Sequence, residues 1–218
     1  SPLLYAATNH IDNILLSKYF KEGGVGTLML FSALLSIIAL PILYLLDPSV
    51  LDVETKHLWL LLFVGAINTL LLWAYLKALF TDEPTVVVIY YQLVPLLGLV
   101  LGYIILGETI TSKQTWAMAN IILGTVILTF ATDDDGIITP RLKTAGYMLI
   151  ASLCWATETT IFKLVALEEN LWRSLFWEHV ALFIIGILML TFISKYREMF
   201  VKALKVNSKQ ILSLNIAN

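Results

Sequence analysis

The sequence predicts an all-α membrane protein, a polytopic helical bundle. Of its 218 residues, 59% are hydrophobic and only 14% charged, whereas a soluble domain carries about 25% charged residues. Mean hydropathy is +0.84. The apolar residues fall in continuous blocks close to the ~20 residues that cross a ~30 Å hydrocarbon core as a helix. Their continuity, without alternation, excludes barrel strands as the main element.

Seven blocks have spanning length, at 1–20, 26–46, 57–80, 85–106, 112–131, 142–165 and 171–194, and an eighth begins near Gln210. The first departs from the pattern, because "AATNHIDNILLSKYF" places Asn9, His10, Asp12 and Asn13 within five positions. Ionisable groups at membrane depth cost about 2.5–3.5 kcal/mol on insertion scales, so they usually face protein or a wet cavity and carry function. Pro84 suits the first turn of the fourth helix, Thr111 and Gln114 have capping-box spacing before the fifth, and Pro140 suits the start of the sixth. Short connections make neighbouring helices antiparallel. The segment "KYREMFVKALKVNSK" sets Tyr196, Met199, Phe200, Ala203 and Leu204 on one face and Lys195, Glu198, Lys202 and Lys205 on the other. That pattern predicts an interfacial helix lying on the bilayer.

Composition also excludes several classes. A net charge of −2 with dispersed basic residues offers no nucleic-acid surface. The single cysteine, Cys154, forms no internal disulfide, and no Cys/His cluster has metal-site spacing, so neither metal nor cofactor is expected. No G-x-x-x-x-G-K-[ST] loop occurs, so ATP is not the expected energy source. The start lacks a basic n-region and a small-residue cleavage site, and both chain ends read as cuts within helices.

Sliding the chain by 145 positions sets "LYAATNHIDNILLSK" over "LIASLCWATETTIFK", pairing Leu4 with Leu149, Ala6 with Ala151 and Lys18 with Lys163. The same register pairs Asn13 with Glu158 and His10 with Trp155. A sixth helix repeating the first gives a five-helix unit, and an odd unit inverts its second copy. Inverted repeats are the architecture of secondary transporters with a midplane site. The expected division is residues 1–132 for the first repeat and 140–218 for an incomplete second.

Residues 65–131 contain an alanine-rich helix, a polar turn, "YQLVP", a small and aliphatic run into "LGE", and a glycine-containing fifth helix. This stretch resembles the third to fifth helices of an EamA-type domain of the drug/metabolite transporter superfamily. The segments "SPLLYAATNHIDNILLSKYF" and "LIASLCWATETTIFKLVAL" resemble the opening helices of that family's two halves. The family's usual Trp and Asn are replaced here by His10 with Asn13, and by Trp155 with Glu158. The resemblance implies a ten-helix carrier of two inverted five-helix halves, with a central cavity between them, of which this chain holds part.

Candidate site residues follow from position. Asn9, Asp12 and Asn13 share one face of the first helix, either lining a cavity or bonding neighbouring helices. Glu158 lies well inside the sixth helix with Trp155 one turn earlier. It is the leading candidate for substrate or proton contact, the alternative being a pair with Lys163 or His179. Glu178 and His179 are adjacent and point apart, which favours structural pairing. Pro95 removes the donor for the Tyr91 carbonyl, so a kink is expected with that carbonyl freed among Tyr90, Tyr91 and Gln92. Asn68 and Tyr75 share a face of the third helix as an opposite wall. Gly98 and Gly102 have the spacing of close helix approach, and Glu108 falls at a helix end as architecture.

Placed on alternate sides, the basic residues divide ten to four, with Lys56, Lys113, Lys163 and Arg173 the minority. This starts the first helix outside, whereas the resemblance implies a cytoplasmic start. The combined expectation is a non-enzymatic secondary carrier in a prokaryotic inner (plasma) membrane. It would move a small metabolite or drug-like solute by alternating access around a midplane cavity. Substrate-binding candidates are Asn9, Asn13, Asn68, Tyr91, Gln92, Trp155 and Glu158, and proton-coupling candidates are Asp12 and Glu158. The expected partners are the solute, the lipid bilayer and protons, with a homodimer left open. The rival readings are an intramembrane enzyme using His10 with Asp12 or His179 with Glu178, and a seven-helix receptor.

Overall fold

The structure, a computed structural model, describes residues 10–12, 14, 24–130, 141–202 and 205. Among these, every regular element is helical. The opening block is described only at 10–12 and 14, which are helical. Asn9, Asn13, Pro140 and the segment from Gln210 lie outside the described residues.

Helix α1 (Gly24–Leu35) passes through a 3₁₀ turn at Ser36–Ile38 into α2 (Ala39–Leu46). Pro41 cannot donate to the Ile37 carbonyl, and the helix tightens one turn earlier. Ser36 Oγ donates there to the carbonyls of Ala33 (2.6 Å) and His179 (3.2 Å). A second 3₁₀ turn, Pro48–Leu51, is capped by Asp47, which accepts from the Ser49 amide at 2.9 Å. α3 (Thr55–Thr81) follows, at 27 residues the longest described helix.

The fourth block is broken into α4 (Pro84–Tyr90) and α5 (Leu93–Leu106). Pro84 stands in the first turn of α4, as the spacing predicts. Gly107, at φ +67°, ends α5 in the left-handed conformation that glycine adopts without strain. α6 (Ser112–Thr129) opens with the predicted capping box, in which Thr111 N–H donates to Gln114 Oε1 at 2.8 Å and Gln114 N–H donates to Thr111 Oγ1 at 3.4 Å. α7 (Leu142–Ala166) and α8 (Leu171–Phe192) complete the bundle.

Among the described residues, five segments are long and apolar enough to cross a membrane, namely Val25–Leu46, Thr55–Thr81, Pro84–Leu106, Leu142–Ala166 and Leu171–Phe192. α6 forms where the fifth span is expected but is not among them. Its first turn, Ser112 to Gln114, is polar, and Asn120 interrupts its middle.

α3 runs through the bundle, packing most extensively on α7 and then α8, while α5 lies on α7 and α1 on α8. Leu28, Leu30, Phe31, Leu76, Val87, Tyr90 and Met148 form the buried centre. Small residues permit the tightest crossings. A Cβ on Gly65 would meet Ala181 Cβ at 2.3 Å, and one on Gly186 would meet Ala33 Cβ at 3.1 Å. The expected role of Gly98 and Gly102 is not realised. Among the described residues, nothing lies within 4 Å of a Cβ at Gly98, and Gly102 faces Glu108 Oε2 of its own C-terminal turn.

Residues 194–202 are helical with a half-buried face of Tyr196, Met199 and Phe200. That face turns inward. Tyr196 and Phe200 pack on the core, the Phe200 ring centroid lying 4.5 Å from that of Phe31. At one end of the bundle Asp82 joins α3 to α7 through Arg141 (3.4 Å) and Thr144 Oγ1 (3.3 Å). At the other, Lys163 pairs with Glu108.

Candidate functional site

Asn68 is the central residue of α3, thirteen positions from either end, and so about 20 Å from each at 1.5 Å per residue. Its Nδ2 donates to Glu158 Oε1 on α7 at 3.2 Å. The second carboxylate oxygen, Oε2, is buried and has no hydrogen-bond partner among the described residues. Neither Lys163, which pairs with Glu108, nor His179, whose Nδ1 bonds the Leu175 carbonyl at 2.8 Å, takes it. Glu178 on α8, 9% exposed, brings a second carboxyl group close to Glu158.

Seven residues along α3, the Tyr75 hydroxyl donates to Asp12 Oδ2 at 3.0 Å, and both residues are only 4% exposed. Tyr75 and Asn68 thus share a face, as their spacing predicts, but bind different helices. Tyr91 links the two carboxylates. Its ring centroid lies 5.8 Å from that of Tyr75 and 5.0 Å from that of Trp155, the latter edge-on at 88°. The order through space is Asp12, Tyr75, Tyr91, Trp155, then Glu158 one turn along α7, and Asn68.

The helix break positions Tyr91. Pro95 has no N–H for the Tyr91 carbonyl, but that carbonyl is not freed as expected. Val94 N–H donates to it at 3.0 Å, and the N–H groups of Tyr91 and Gln92 reach back to Val88 (3.2 Å) and Ile89 (3.1 Å). Replacing i−4 bonds by i−3 bonds tightens the turn and satisfies the backbone that proline disrupts. The Tyr90 carbonyl accepts from Ser152 Oγ of α7 at 3.5 Å. Because Thr129 Oγ1 donates to the Thr125 carbonyl, the Tyr90 hydroxyl donates to Thr129 Oγ1, at 2.9 Å.

The structure thus brings together Asp12, Asn68, Tyr91, Trp155 and Glu158. Gln92 is exposed and makes no hydrogen bond to them, His10 is exposed, and Asn9 and Asn13 lie outside the described residues. Sequence reasoning set Glu178 aside and missed Ser152. A serine four positions before Ala156 on a helix already carrying Glu158 was the available signal for the latter. Chemically, the cluster is a row of aromatic faces between two carboxyl groups, Asp12 buried and Glu158 half-buried with one buried oxygen that has no hydrogen-bond partner among the described residues.

No curated protein matches the chain. The sequence model of the EamA-like transporter family matches residues 10–130. That match takes in Asp12, Asn68, Tyr75 and Tyr91 together with the broken fourth helix. With its all-helical, multi-pass membrane architecture, the chain belongs to the EamA-like transporter family.

Proposed function

We propose that this membrane transporter of the drug/metabolite type works as a secondary carrier by alternating access, in the inner (plasma) membrane. In this reading, the halves 1–132 and 140–218 are inverted repeats that rock about a midplane cavity. The cavity is lined by the row from Asp12 to Glu158, with Asn9 and Asn13 on the same wall.

The observation that carries the reading is Glu158 Oε2, a buried carboxylate oxygen without a hydrogen-bond partner, beside the edge-to-face pair of Tyr91 and Trp155. A carboxylate buried at membrane depth must be protonated, paired or hydrated. A proton and a cationic solute can therefore compete for it. Aromatic faces attract organic cations, so the favoured solute is small and amphipathic and carries an amine or quaternary nitrogen. Glu178 places a second carboxyl group near the same point.

The test is uptake into proteoliposomes of a panel of radiolabelled amines, quaternary ammonium compounds, amino acids and organic anions, with a trapped pH dye. Exchange of protons for amines or quaternary compounds supports the reading. Movement of anions alone, or a pH profile unchanged by Glu158→Gln, rejects it.

A further inference from the structure

A second group of ionisable side chains gathers where the start of α3 meets the α7–α8 loop, away from the row of aromatic rings. His57 is at its centre, 1% exposed. Its Nδ1 lies 2.9 Å from Glu169 Oε1, which also accepts from the Glu54 amide at 3.1 Å. Glu169 Oε2 accepts from Arg173 at 3.0 Å. Both Glu169 oxygens thus act as acceptors, Oε2 in an ion pair with Arg173, so the contact with Oε1 is made by a proton on Nδ1.

In the neutral form that binds a metal, a ring with its proton on Nδ1 presents its lone pair at Nε2. That buried atom has no hydrogen-bond partner, yet Glu168 Oε2 lies 3.1 Å from it. Two electron-rich atoms at that separation repel unless a cation stands between them. An ion ~2.1 Å from each donor, as for zinc, would subtend roughly 95° between donors 3.1 Å apart. With such an ion on the lone-pair axis, the oxygen would lie roughly 40° off that axis, away from the line a linear hydrogen bond requires. Glu54 supplies a third carboxylate, whose Oε2 lies 3.7 Å from Nδ1 of the same ring, and one ligand atom from each of Glu54, His57 and Glu168 lies within 4.8 Å of the others. Glu54 and Glu168 are both exposed, so their carboxylates can turn toward an ion. A carboxylate-fixed imidazole such as Glu169–His57 is the usual second shell of a metal-binding histidine.

We propose that His57 Nε2, Glu168 and Glu54 form a site for a divalent transition-metal cation of the zinc type. The ion would tie the α7–α8 loop to the start of α3. Imidazole with carboxylate suits such an ion better than Ca²⁺ or Mg²⁺, which favour all-oxygen sites.

The test uses the full chain in detergent at pH 7, stripped with EDTA and titrated with ZnCl₂ by calorimetry, with thermal unfolding read in parallel. One Zn²⁺ should bind per chain and raise the unfolding temperature. Glu168→Gln, at an exposed position that leaves the fold intact, should weaken binding at least tenfold. Glu108→Gln, an exposed acid elsewhere, should not. Equal zinc binding by wild type and Glu168→Gln overturns the proposal. So does absence of zinc binding with stability in EDTA rising as pH falls, which would assign the contact to an imidazolium clamped between carboxylates.

Discussion

Asn68 Nδ2 and Glu158 Oε1, 3.2 Å apart, join the centre of α3 to α7 and leave the other Glu158 oxygen without a partner. Glu158→Gln retains the volume and the Oε1 acceptor while removing the charge and putting an amide NH₂ in place of Oε2. Its unfolding temperature should therefore stay near wild type, while the pH dependence of uptake in proteoliposomes disappears. Asn68→Ala should act the other way round. Interhelical hydrogen bonds in membranes average about 0.6 kcal/mol with a maximum near 1.7. The variant should lose stability in that range and keep a pH-dependent uptake.

Tyr75 presents the complementary case. Its hydroxyl holds Asp12, and both are buried. Tyr75→Phe keeps the ring beside Tyr91 and deletes one donor. At about 0.6–1.7 kcal/mol, losing that orientation should weaken solute use by roughly 3- to 18-fold in KM, with kcat little changed. Equal KM values for Tyr75→Phe and wild type would show that Asp12 takes no part in recognition.

What could be read from sequence was local. Thr111 with Gln114 and Pro84 act within one helical turn, so spacing alone located their helix starts. Pro95 announced a break, but which carbonyl lost its donor depended on how the turn rebuilt itself, and Val94 restored the bond to Tyr91. Asn68 and Tyr75 could be placed on one face by periodicity. Their partners could not, because Glu158 lies 90 residues from Asn68 and Asp12 lies 63 from Tyr75. The contact of His57 with Glu169 spans 112 residues and leaves no periodic trace. Gly98 shows the converse failure, since small-residue spacing identifies a surface that can be approached and not one that is.

The Gly65–Ala181 crossing offers a test of packing apart from chemistry. A Cβ at position 65 would lie 2.3 Å from Ala181 Cβ, so Gly65→Ala must push α3 and α8 apart. Overpacking costs typically 1–3 kcal/mol. The double variant Gly65→Ala with Ala181→Gly should recover most of that loss in detergent unfolding. Failure to recover would mean that the two helices do not cross there.

Glu169 sets the acid limit of the extramembrane end. Its side chain is 8% exposed and receives bonds from His57, the Glu54 amide and Arg173, which hold it below its ordinary value of 4.5. A carboxylate with a depressed folded value adds stability that is present above its unfolded value and is lost as pH falls through the folded one. Asp47, held down by Ser49, has the same sign, so wild-type acid sensitivity alone does not isolate Glu169. The difference between wild type and Glu169→Gln does. Measured in EDTA, the variant should be less stable at pH 7 by about 2 kcal/mol, the worth of a hydrogen bond to a charged group. The gap should close as the pH is lowered below about 4.5, because the protonated wild-type carboxyl then resembles the amide. A gap that persists undiminished in acid would mean that the wild-type advantage comes from shape and not from charge.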